Sequence, residues 1–281
     1  MSSPATRTRK SAIVTGGASG IGLAMSRHFA SQGHRVAILD VDTNSGPQIA
    51  AYVAAEYPYS TVSFKKCDVT SWDEQAAVFK EVYEEHGGRL EIVMANAGVS
   101  EQGATTAVHL DEDSPSPPRL TVLNINLIGT IYTVKLALHY MSKNKPGEAP
   151  GSKGGSIICT ASNAGLYPFP VAPLYGVSKA GVINLVQSLP KLISKSNIRI
   201  NALAPAVLDT NIAPDKSLFA NMVVTPMSTL IRGVSEFIDN PSVTGAVAEI
   251  HGDNVTIRPP HEYVDEDTEK NMNEFWRLGY A

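Results

Sequence analysis

The sequence has little of what would tie a chain to a polyanion, a bilayer or an oxidising compartment. Only two of its 281 residues are cysteine, Cys67 and Cys159. Both fall in apolar, strand-like runs where a small hydrophobe is ordinary, which excludes a disulfide framework. Basic charge is not in excess: 23 Lys and Arg against 27 Asp and Glu leave a formal charge of -4, so no field is expected to draw nucleic acid or anionic lipid. No apolar stretch reads as a spanning helix, and Met1–Lys10 is short and polar without the apolar core of a secretory signal, so the expected location is the cytoplasm. His28, His34, His86, His109, His139, His251 and His261 show neither paired helical spacing nor thiolate neighbours, and no metal is expected. With 43% hydrophobic and 18% charged residues, the chain is long and apolar enough for one large core. A small molecule remains as the expected partner.

Short apolar runs alternate with longer helical patterns. Ser11–Thr15, Arg35–Asp40, Val62–Asp68, Ile92–Ala95, Ser156–Thr160, Ile198–Ala204 and Ala246–Ile250 read as strands. Ile21–Ser31, Gly46–Glu56, Asp73–Glu85, Leu120–Met141 and Leu174–Ser194 read as helices, the last kinked or shortened by Pro190. This alternation predicts a single α/β domain: a doubly wound, mostly parallel seven-stranded sheet with helices on both faces. Such sheets bind ligands at the carboxyl ends of their strands. The expected boundaries are an N-terminal extension over 1–10, the sheet domain over 11–258 and a tail over 259–281. Ser100–Arg119 and Ser142–Gly155, rich in Pro, Gly and charge, read as loops near the site.

The first strand runs into Thr15-Gly16-Gly17-Ala18-Ser19-Gly20-Ile21-Gly22 and then a helix, where backbone N–H groups and the helix N-terminus can receive a pyrophosphate. Alone, such a turn is equally a tight connection. Asp40 ends the second strand, where a carboxylate can accept from an adenosine ribose, and neither Ser19 nor Val41 offers a cation for a 2′-phosphate. A strand-terminal turn aspartate is the plainer alternative. Tyr175 and Lys179, at i and i+4, share one helix face. An ammonium about 4 Å from the phenol interacts by roughly 4 kcal/mol at an effective dielectric near 20, enough to lower a pKa near 10 by about three pH units. An isolated pair of this spacing is more often an ordinary surface pair. Ser162, Asn126, Asp68 and Asn96 likewise have structural readings as turn or backbone-bonded residues.

Taken together, in this order and at strand termini, these residues closely resemble the short-chain dehydrogenase/reductase family. Thr15–Gly22 resembles its TGxxxGxG turn, Cys67-Asp68-Val69 its adenine-contacting segment and Asn96-Ala97-Gly98 its N-A-G motif. Ser162, Tyr175 and Lys179 match its catalytic serine, tyrosine and lysine, and Asn126 its catalytic asparagine. The segment Asn201–Thr210 resembles the family's N-x-x-x-P-G-x-V-x-T stretch, with Pro205 kept and Ala206 in place of the glycine. The resemblance implies a Rossmann fold and NAD held by Gly16, Ser19, Gly20, Ile21, Gly22, Asp40, Val41, Asp68, Val69, Asn96, Tyr175, Lys179, Pro205, Leu208 and Thr210. It implies a homodimer or homotetramer joined through Leu120–Met141 and Leu174–Ser194, and an apolar substrate lid around 211–235. Within the family the chain is most similar to NAD-dependent 15-hydroxyprostaglandin dehydrogenase-like members. That likeness implies interconversion of a lipophilic secondary alcohol and its ketone. An NADPH-dependent carbonyl reductase and a non-catalytic dinucleotide-binding regulator are the alternatives.

Overall fold

Eight strands form one sheet: β1 (Ser11–Thr15), β2 (Arg35–Asp40), β3 (Thr61–Lys66), β4 (Ile92–Ala95), β5 (Gly155–Thr160), β6 (Ile198–Pro205), β7 (Val247–His251) and β8 (Asn254–Arg258). Their order is β3-β2-β1-β4-β5-β6-β7-β8, parallel except for β8, which runs antiparallel to β7. The computed structural model describes residues 9–101, 107, 114–144, 154–210 and 216–279. The central strands are buried on both faces because their residues are apolar almost without interruption. Ile13, Leu39, Val93, Ile157 and Ala202 point into one layer, while Val14, Ile38, Met94, Ile158 and Leu203 point into the other. Such a strand has no polar residue to offer solvent, so helices must cover both sides.

Helices α1 (Gly20–Ser31), α2 (Gly46–Glu56) and α8 (Met227–Asp239) close one face, their Phe29, Val53 and Phe237 filling the second layer. Helix α3 (Trp72–Glu85), the helix through α4 (Thr121–Leu123) and α5 (Gly129–Met141), and α6 (Pro173–Ser188) close the other. Between α4 and α5 the backbone is π-helical over Asn124–Ile128. Pro190 starts a separate four-residue turn, α7 (Pro190–Ile193), so the helix expected to reach Ser194 stops at Ser188. A last helix, α9 (Glu266–Leu278), buries none of its residues.

Three sequence expectations need correction. The sheet has eight strands rather than seven, because Gly252, at φ +50°, turns the chain back after His251 into a hairpin. The stretch Thr121–Ser142, 22 residues, does meet the length and composition of a membrane span. Its apolar side nonetheless packs Val134, Leu136, Ala137 and Met141 into the sheet's core, the ordinary reason for such a composition in an α/β layer. In the expected lid, α8 belongs to the core: Leu230 is fully buried, and Met227 and Ile231 pack on the same layer. Residues 211–215 of that lid, 102–106 and 108–113 of the first loop and 145–153 of the second lie outside the described residues.

Candidate active site

Strand order reverses between β1 and β4, so the connections leaving these neighbours diverge to opposite faces and leave a crevice at their carboxyl ends. A cavity of about 380 Å³ opens there.

One end of the cavity is made by the turn after β1. Gly16 (φ +61°) and Gly20 (φ +49°) occupy left-handed backbone that side chains resist. At Gly22 a Cβ would lie 2.0 Å from the Gly16 carbonyl oxygen, so only glycine lets α1 start this close to the turn. Ser19 precedes α1 and makes no side-chain cap, leaving the first amides of the helix facing the cavity. Asn96 braces the turn from below. Its Nδ2 donates to the Thr15 carbonyl at 3.0 Å, its own amide donates to Thr15 Oγ1 at 2.9 Å, and its Oδ1 accepts from Thr160 Oγ1 at 3.0 Å. Asp40, beside them at the end of β2, accepts from the Ala18 amide at 3.1 Å through Oδ2 and from the Asp42 amide at 3.2 Å through Oδ1. Lys66 pairs with Asp40 in the sheet register, but its ammonium is engaged by both oxygens of Glu74 at 2.7 Å.

The other end is polar and buried. Ser162 ends the segment after β5, its Oγ accepting from the Ala164 amide at 3.2 Å. Tyr175 sits in the first turn of α6 and Lys179 one turn on. The Lys179 ammonium donates to the Thr160 carbonyl at 2.8 Å and lies 5.6 Å from the centre of the Tyr175 ring. Burial pushes this lysine down to about 8. Burial also raises the Tyr175 phenol above its ordinary value, with the Ser162 hydroxyl pulling the other way. The expected lowering of the phenol by Lys179 is therefore not found: the group that pulls the phenol down is the Ser162 hydroxyl, burial outweighs it, and the Lys179 ammonium is bonded to the Thr160 carbonyl.

Of the residues singled out in the sequence, Gly16, Ser19, Gly20, Ile21, Asp40, Val41, Asp68, Val69, Asn96, Ser162, Tyr175, Lys179, Pro205, Leu208 and Thr210 all line this one cavity. Gly22 and Asn126 are not among its walls. Gly22 acts through close approach, as described. Asn126 is fully buried in the π-helical segment and spends its side chain elsewhere. Its Oδ1 accepts from the Val99 amide at 2.9 Å, and its Nδ2 donates to the Val99 carbonyl at 2.9 Å and to Ser178 Oγ at 3.2 Å. Ala206 also lines the cavity and donates its amide to Ile250 at 2.9 Å. Among the described residues the single non-glycine at positive φ is Asn197, so alanine at 206 meets no backbone strain. Sequence reasoning missed Val99, Ser100 and Ile125 as walls, since nothing in their types announces a site.

The family model described as short chain dehydrogenase matches residues 10–220. The chain belongs to the short-chain dehydrogenase family. Among relatives in that family, mouse 15-hydroxyprostaglandin dehydrogenase [NAD(+)] is 30% identical, over 86% of this chain and 89% of its own. The 5'-hydroxyaverantin dehydrogenase of Emericella nidulans is 31% identical, over 95% of this chain and 89% of its own. A short-chain dehydrogenase/reductase of Penicillium roqueforti is 34% identical over 73% of this chain, which spans only 56% of that relative's length. The fold is shared with a solved short-chain dehydrogenase/reductase of Mycobacterium ulcerans, with TM-score 0.74 at 23% identity over 88% and 90% of the two chains.

Proposed function

We propose that this short-chain dehydrogenase is an NAD-dependent enzyme interconverting a lipophilic secondary alcohol and its ketone, with Tyr175 as acid/base. The observation that carries the reading is that Ser162, Tyr175 and Lys179 line the same cavity as the glycine turn and Asp40. The open turn, the uncapped start of α1 and the carboxylate beside them fit a dinucleotide, since they offer amides to a pyrophosphate and an acceptor to a ribose. A nicotinamide dinucleotide bound there supplies the hydride chemistry. Leu208 and Thr210 would flank its nicotinamide, and Lys179 would hold the ribose.

Ser162 then donates to the substrate oxygen, and Tyr175 takes the alcohol proton in oxidation or returns it in reduction. Burial holds the phenol above its ordinary value and so favours the protonated form, which donates toward a ketone. Oxidation needs that proton removed first. The Asn126 side-chain amide is committed to Val99 and Ser178, so it braces the site rather than touching the reacting groups, and its backbone carbonyl accepts from Thr130 Oγ1 at 2.8 Å. The apolar substrate class rests on Phe169, whose ring lies 6.1 Å from that of Tyr175, and on Met222, Val223 and Val224, which are exposed. Just after these three, the Thr225 amide is bonded to the Val207 carbonyl at 2.7 Å, beside the cavity wall. This segment is the lid in the same reading, and mean exposure of three apolar side chains is what a lid awaiting an apolar ligand presents.

A panel of secondary alcohols from 2-propanol to long-chain and aryl members, followed by NADH absorbance, tests the reading. Bulky apolar members should turn over with the higher kcat/KM, and Tyr175→Phe should abolish turnover while leaving fold and NAD binding largely intact, because it removes the exchangeable proton but keeps the ring. Turnover retained in Tyr175→Phe removes the assigned acid/base. Preference for small hydrophilic alcohols removes the lipophilic pocket.

A further inference from the structure

Helix α6 carries Tyr175 in its first turn, and that turn is closed in an unusual way. The first amides of a helix have no carbonyl behind them, and a Ser, Thr, Asp or Asn at the preceding position normally accepts from them. Here the preceding residue is Ala172, and it gives no side-chain cap. Pro173 has no N–H, and the Gly176 amide already donates to the Ala172 carbonyl at 3.1 Å. The amides of Leu174 and Tyr175 are what remain. Both donate to Oε2 of Glu101, at 3.0 and 3.4 Å, from the segment that follows β4.

The other carboxylate oxygen, Oε1, is buried and has no hydrogen-bond partner among the described residues. Desolvating a carboxylate oxygen without a partner is costly. A serine or aspartate at 172 would close the same turn locally, whereas Glu101 closes it from the segment that follows β4. Its own position is fixed by the residues already described. Val99, two residues earlier, is clamped at both its amide and its carbonyl by Asn126. The Asn126 Nδ2 also donates to Ser178 Oγ, which in turn donates to the Tyr175 carbonyl at 2.7 Å. The amide of Tyr175 and its carbonyl are thus tied to the same β4 segment, one through Glu101 and the other through Asn126.

We infer that Glu101 is a positioning residue for Tyr175: by accepting from the Leu174 and Tyr175 amides it sets the first turn of α6, and with it the phenol, against Ser162. This rests on the assignment of Tyr175 as acid/base. A reacting group displaced by about 1 Å loses on the order of a hundredfold in rate, which gives a cap on this turn a catalytic consequence that a cap elsewhere lacks.

The test compares wild type, Glu101→Ala, Glu101→Gln and Tyr175→Phe. It uses NAD and whichever alcohol of the panel the wild type oxidises fastest, with amide hydrogen exchange of the peptide around Tyr175 measured alongside. Glu101→Ala should lower kcat by about ten- to a hundredfold with the NAD dissociation constant unchanged, and should speed exchange at the start of α6. Glu101→Gln keeps an acceptor oxygen and should restore kcat to within about threefold of wild type, together with slow exchange. If Glu101→Ala does not fold, Glu101→Asp, which keeps the charge but lacks the reach, should show the same loss. A kcat for Glu101→Ala within about twofold of wild type overturns the proposal, as does Glu101→Gln being as slow as Glu101→Ala. Turnover in Tyr175→Phe would instead overturn the acid/base assignment on which it rests, and is read separately.

Discussion

At the scale of single residues, Asp40 does two things at once. Its carboxylate faces the cavity and also holds the Ala18 amide of the glycine turn. Charge-assisted hydrogen bonds contribute about 1.5–3 kcal/mol, so Asp40→Ala should weaken NAD binding by roughly one to two powers of ten. NADP should suffer less, since a negative charge facing its 2′-phosphate is removed. Asp40→Asn keeps the acceptor for Ala18 and separates the loss of charge from loosening of the turn. Selectivity should shrink rather than reverse, because the ammonium paired with Asp40 in register, Lys66, is held by Glu74. Catalytic efficiencies with both cofactors check this, and a wild type that prefers NADP would refute it. Asp40 was legible in the sequence because strand end and glycine turn are both local patterns. The pKa of Tyr175 was not, because i and i+4 spacing reports proximity whereas burial depends on the whole site. Glu101 was invisible for a further reason: its partners Leu174 and Tyr175 lie in a different element, and no local pattern links them.

At the scale of elements, the junction of β1 and α1 is the most tightly specified part of the molecule. A methyl at Gly22 would meet the Gly16 carbonyl at 2.0 Å and Asn96 Nδ2 at 2.7 Å. Neither can yield easily, since Asn96 is bonded to Thr15 and Thr160. Gly22→Ala should therefore cost about 1–3 kcal/mol of stability and, by pushing α1 away from the turn, weaken NAD binding as well. Denaturant unfolding and NAD titration of the same variant check both halves; unchanged values for either would mean the turn relaxes more freely than its bonds imply. Elements with strong periodicity were read close to their true limits, β2 and α2 among them. Helix α8 fell within the lid that the family resemblance implied, whereas the spacing of Met227, Leu230 and Ile231 along one helix face sends them into the layer beneath the sheet. The π-helical step at Asn124–Ile128 left no mark in composition; in it Asn126 is bonded to Val99, a residue of another segment that no local pattern links to it.

At the scale of the whole molecule, the strand order follows from the alternation of strands and helices, and the crevice follows from the order. The eighth strand escaped because it lies at the edge of the sheet with its residues exposed or half-buried, so Asn254–Arg258 carries no apolar run to announce it. The outer surface carries a different kind of information. Ile128 and Ile131, on the helix that runs into α5, and Val177 on α6 stay exposed although they are large and apolar. A helix that covers a sheet on one side would ordinarily turn polar residues outward, so apolar residues left there mark an interface when they gather on neighbouring helices. We propose that these faces join copies of the chain, as a two-fold arrangement would bring each helix against its own counterpart. Light scattering should then give a dimer or tetramer at working concentrations. Replacing Ile131 and Val177 together by glutamate places like charges across the axis and should shift the population to smaller species while leaving the monomer folded, because neither side chain belongs to the core layers. A wild type that is monomeric would contradict the proposal. So would a double variant that associates as fully as the wild type, since the interface would then have to lie elsewhere, with the exposed Phe275 and Trp276 of α9 as the next surface to alter.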